Sequence, residues 1–70
     1  MTPKEQKEFD RGYLLACAAI VNAHGEVAVA ADVLNASDIK RSDIPGFDLT
    51  EYDATAINMV LADPRCIINE

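Results

Sequence analysis

Tryptophan is absent, aromatic side chains number four (Phe9, Tyr13, Phe47, Tyr52), and the chain holds one histidine, two cysteines and six basic residues. Each scarcity excludes something. Two cysteines, Cys17 and Cys66, are too few and too distant in sequence for the disulfide framework of a small secreted domain. The lone His24 shares a helical face with Cys17, but a zinc site needs two further ligands, so no metal and no other cofactor is expected. Gly12, Gly25 and Gly46 are isolated, which rules out a glycine-rich phosphate loop. No apolar run reaches the length that spans a membrane. The charged start Met1–Arg11 lacks the form of a secretory leader, so a cytoplasmic setting is expected.

Bases are also scarce relative to acids. Six Lys and Arg stand against twelve Asp and Glu, a net charge of −6. Phosphate recognition draws on cations, so this balance opposes direct binding to nucleic acid or an anionic membrane surface. It favours approach to a basic protein surface.

What the chain does have is apolar surface. Seventy residues form a single helical domain, 1–70, and half of them are hydrophobic. A chain this short buries only roughly 60% of its unfolded surface. Residues 12–36 nevertheless carry apolar side chains nearly all round two helical stretches. What one small core cannot cover is expected to be covered by association. A homodimer is expected, with Leu15, Val29, Val33, Ile67 and Ile68 as candidate interface residues.

Three helices are legible. Thr2, Pro3 and Glu5 have the spacing of a capping box with proline at the first helical position. Phe9, Tyr13, Ala16, Cys17, Ile20, Val21 and His24 then form one helical stripe, and Gly25 is a suitable stop. A second helix spans about Glu26–Ala36, with Val27, Ala30, Ala31 and Leu34 inward and Val29 and Val33 on a second stripe. Ser42, Pro45 and Gly46 are turn chemistry, and one turn of helix is expected around Ser37–Arg41. The third helix opens with two overlapping caps, Asp48 with Glu51 or Thr50 with Asp53. It turns Leu49, Tyr52, Ala56, Met59 and Val60 inward and ends at Asp63–Pro64. The apolar tail Arg65–Glu70 either docks on the helices or pairs with another chain. The expected fold is all-α, a small three-helix bundle with an irregular acidic connection before the third helix.

No catalytic constellation is present. Cys17, amid Ala and Ile, lacks the base and orienting group that a thiol nucleophile requires. No enzymatic role is expected. The acids of residues 38–53 are the stronger signal: Asp38, Asp43, Asp48, Glu51 and Asp53 against Lys40 and Arg41. Capping uses at most two of them, and Phe47 and Tyr52 stand among them. Aromatics set among charges commonly anchor protein interfaces. Asp43, Phe47, Asp48, Glu51, Tyr52 and Asp53 are the candidate partner-binding surface.

Two resemblances bear on function. Gly25–Glu26–Val27–Ala28–Val29–Ala30–Ala31–Asp32–Val33–Leu34 resembles the first helix of Fis-type helix-turn-helix units, which implies a small transcriptional regulator. The following Ser37–Pro45 departs from that pattern, because proline cuts it and two acids offset its two bases. The chain as a whole is similar to short proteins of phage and prophage genomes. Arg11–Gly12–Tyr13–Leu14–Leu15–Ala16, Asn22–Ala23–His24–Gly25 and Asp48–Leu49–Thr50–Glu51–Tyr52–Asp53 carry that likeness. It implies a non-enzymatic inhibitor of anti-CRISPR or other anti-defence type, blocking a host nucleic-acid-binding or defence protein by stoichiometric association. A homo-oligomeric assembly or ligand-sequestering module is the remaining alternative.

Overall fold

Local chemistry sets the ends of the longest element. In the computed structural model, which describes residues 1–70, helix α1 runs Pro3–His24. The Thr2 hydroxyl accepts from the Glu5 amide at 3.2 Å, and the Thr2 amide donates to the Glu5 carboxylate at 3.1 Å. These are the reciprocal bonds of a capping box. That pairing also holds the Glu5 carboxyl below its ordinary pKa. Gly25 ends the helix at φ 67°, a left-handed conformation that glycine adopts without a Cβ penalty. Twenty-two residues at about 1.5 Å each match the 33 Å long axis of the molecule.

Helix α2, Val27–Asn35, and helix α3, Glu51–Ala62, both pack on α1 and on each other. The chain is all-helical. Its fourth element lies where an irregular connection was expected: Arg41–Phe47 forms a 3-10 helix. Ile44 and Phe47 are three residues apart, so a 3-10 helix places them on one face. Both are buried. Pro45 is tolerated because the segment is short and its missing amide is not required for that packing. Asp48 then reverses the chain at φ 51°, a left-handed conformation that Asp accepts more readily than most residues.

Of the two overlapping caps, Thr50 is the one used. Its hydroxyl accepts from the Asp53 amide at 3.3 Å and lies 3.1 Å from the Asp53 carboxylate. Helix α3 stops at Ala62, and Asp63 is extended as the residue before a proline should be.

The core joins every element. Leu14, Cys17, Ala18 and Val21 come from α1, Ala30, Ala31 and Leu34 from α2, and Ala56, Ile57 and Val60 from α3, with Ile39, Ile44, Phe47 and Cys66 between them. No polar side chain is buried. The phase of two helices differs from the sequence expectation. In α1 the inward line is Leu14–Cys17–Ala18–Val21, leaving Phe9, Ala16 and His24 exposed. In α3, Ile57 is fully buried while Tyr52 and Met59 face outward. Both helices are apolar on more than one side, so periodicity alone allowed either rotation.

The tail docks on its own chain. The Arg41 and Ser42 amides donate to the carbonyls of Asn69 and Glu70 at 2.8 and 3.0 Å. Asn35 brackets the tail, its side-chain amide donating to the Arg65 carbonyl at 2.6 Å and accepting from the Ile67 amide at 2.8 Å. The Arg41 guanidinium reaches the Leu61 and Cys66 carbonyls at 3.2 and 3.3 Å. Ile68 packs against the core, and Ile67 is left 76% exposed.

Candidate acidic and aromatic surface at the start of helix α3

Of the two cations in the acidic segment, the fold turns Arg41 away and leaves Lys40 exposed. Arg41 is turned toward the tail, where it serves two carbonyls and lies 4.0 Å from the Glu70 carboxylate. The only other ion pair joins Arg65 to Asp32. Asp38, Asp43, Asp48, Glu51 and Asp53 therefore have no cationic partner within the chain. The five acids outnumber the one exposed cation of the segment, Lys40, and a surface of net negative charge steers a basic partner.

The six candidate contact residues do not form one patch. Asp43 lies on the 3-10 segment, in a groove of about 520 Å³ shared with Gln6, Lys7 and Asp10 of α1. Asp48 borders a second groove with Pro45, Leu49 and Asn58. Phe47, expected as a surface anchor, is a core residue at 6% exposure, and its carbonyl accepts from the Arg11 guanidinium at 3.1 Å. The reason is its 3-10 register with Ile44. Glu51, Tyr52 and Asp53 do come together, because they form the first turn of α3.

Tyr52 is the prominent member, 68% exposed. Its ring separates two recesses. On one side Asn22, Glu51, Thr55, Ala56 and Met59 line a groove of about 480 Å³. On the other, Leu15, Ala19, Asn22, Ala23 and Asp53 line one of about 390 Å³. One candidate dimer residue, Leu15, thus shares a wall with two candidate contact residues. Val29 lies exposed on α2, and Val33 is half-buried against the core. The wall formed by Ala19, Asn22 and Ala23 was not singled out from sequence. Asn22, a polar residue in an otherwise apolar stretch, was the available signal. Met59, expected inward, is half exposed and lines the first of these grooves.

The surface offers shape, apolar area and negative charge. The nearest reactive group is not poised for chemistry. Burial pushes the Cys17 thiol up to about 11, with Cys66 adding to the shift, so it stays protonated at neutral pH. Tyr13 is likewise raised, by burial first and by Cys17 second, and its hydroxyl donates to the Val33 carbonyl. No helix is long and apolar enough to cross a membrane. No protein family, curated protein or solved structure matches this chain.

Proposed function

We propose that this protein acts without catalysis, by stoichiometric association with a protein that carries a basic surface. In this reading the three α-helices form a small bundle that displays the first turn of α3, and the contact is made by Tyr52 with Glu51 and Asp53 beside it. The observation that carries the reading is an exposed tyrosine between two apolar-walled recesses, flanked by carboxylates without internal cations. Exposed aromatics that fill a partner's pocket supply most of the energy at many interfaces, while surrounding charges set approach and orientation. The partner class that fits the likeness to small phage proteins is a host nucleic-acid-binding or defence protein, whose phosphate-binding cations would meet these carboxylates. Asp43, on a separate groove, contributes to the long-range field and not to the contact.

The test is capture of partners from bacterial lysate on immobilised protein at low and moderate salt, with identification by mass spectrometry. The expected result is one nucleic-acid-binding protein retained in equal proportion and released as salt rises. Capture that is unchanged when Tyr52→Ala and Glu51→Lys are combined would overturn the assignment.

A further inference from the structure

We infer that the two grooves at Tyr52 each seat one arginine side chain of a single partner segment, so that the first turn of α3 recognises a pair of arginines. This rests on the reading that the turn meets a basic protein, and it names the groups such a partner must supply.

The two grooves are built alike. One is lined by Thr55, Ala56 and Met59, the other by Leu15, Ala19 and Ala23, and Asn22 and Tyr52 belong to both. Each contains one charged residue, a carboxylate: Glu51 in the first and Asp53 in the second. Neither carboxylate has a cation within the chain. Apolar lining, an aromatic ring and an unpaired carboxylate are what an arginine side chain can use together. Its methylene stem covers apolar surface while the charged head stays at the rim. The guanidinium plane stacks on an aromatic ring, and its fork donates two parallel bonds to a carboxylate.

Other grooves lack part of this set. The groove beside Asp43 already contains Lys7, and the one beside Asp38 contains Lys40. The groove at Asp48 has no aromatic residue.

The acceptors make the two seats unequal. The Thr55 hydroxyl donates to the Glu51 carbonyl at 2.8 Å and not to its carboxylate, which leaves both carboxylate oxygens for a bidentate guanidinium. One Asp53 oxygen lies 3.1 Å from the Thr50 hydroxyl, so the second groove offers mainly the other. The exposed Asn22 side chain, in the wall of both, adds a carbonyl acceptor. A cation held by an aromatic lies within about 6 Å of the ring centre, so two heads sharing Tyr52 are at most about 12 Å apart. Residues two apart on an extended strand project to one side about 7 Å from each other. One short segment therefore supplies both arginines.

Titration of the isotope-labelled full chain with the blocked peptide acetyl-Arg-Ala-Arg-amide, followed by NMR, tests this against the lysine and citrulline forms of the same peptide. The arginine peptide should move the Ala23 and Thr55 amides together and saturably. The lysine form should bind about threefold more weakly, since it neither stacks nor forks, and the uncharged citrulline form should give no saturable shift. Glu51→Gln should weaken binding about fivefold and Asp53→Asn about twofold, while Tyr52→Leu should reduce the response in both grooves. All three variants keep the Thr50 cap, and unchanged spectra away from the grooves would show that they fold. Equal responses to the arginine and citrulline peptides, or shifts concentrated at Asp38, Asp43 and Asp48, would overturn the inference. Arginine-selective shifts in both grooves support it even where lysate yields no protein, an outcome that would sink the partner reading alone. Capture of a protein that depends on Tyr52, with no response to the arginine peptide, would overturn the arginine pair and leave the partner reading in place.

Discussion

Replacing Arg41 by alanine should cost this small domain a large part of its stability. The side chain is half-buried and its guanidinium donates to two carbonyls, those of Leu61 at 3.2 Å and Cys66 at 3.3 Å. Bonds from a charged donor are worth about 1.5–3 kcal/mol each, and these lie at the long end of good geometry. The lower value applies to each, which gives about 3 kcal/mol for the pair. The Glu70 carboxylate at 4.0 Å is 93% exposed, so it adds close to nothing. Urea unfolding followed by circular dichroism should show Arg41→Ala destabilised by that amount, with Glu70→Gln within about 0.5 kcal/mol of wild type. Because the tail is held beside Arg41, hydrogen exchange at the Arg41 and Ser42 amides, which donate to Asn69 and Glu70, should accelerate more than exchange in α1. An Arg41→Ala protein as stable as wild type, with those two amides still protected, would refute the assignment of Arg41 as the clasp between tail and 3-10 segment.

Thr50→Ala removes the cap of α3 and should lower stability by about 1 kcal/mol, read as a fall in melting temperature. Gly25→Ala places a Cβ at φ 67° and should cost about 1–2 kcal/mol, measured in the same way. Cys17 has a folded pKa of about 11 against 9.0 for the free group. A raised acid contributes stability that is fully present below pH 9 and lost as pH rises through 11, on the order of 2 kcal/mol. Denaturation midpoints should fall over that window, and Cys17→Ala should flatten the fall.

The elements that could be read in the sequence are those set by near neighbours. Thr2, Pro3, Glu5 and Gly25 fix both ends of α1 within a few residues, and Pro64 stops α3 through the residue before it. The rotation of α1 and α3 was not legible, because Ala and Val residues occur on several sides and burial depends on which side the other helices take. Phe47 reads as a surface aromatic among acids until its three-residue spacing from Ile44 is placed on a 3-10 helix. Arg41 could not be recognised at all. Its carbonyl partners lie 20 and 25 residues away and carry no side-chain signature. The candidate surface was legible at Glu51, Tyr52 and Asp53, which share one helical turn, and not at its α1 wall, which only packing brings there.

The central claim is that the first turn of α3 recognises a basic protein partner, and its most direct test is an affinity titration. The partner captured from lysate would be titrated with wild-type protein and with Glu51→Lys combined with Tyr52→Ala, at several salt concentrations. Binding weakened by about a hundredfold or more in the double variant, with a shallower salt dependence and an unchanged circular dichroism melt, is the result expected. Equal affinity and equal salt dependence for the two proteins would contradict the account.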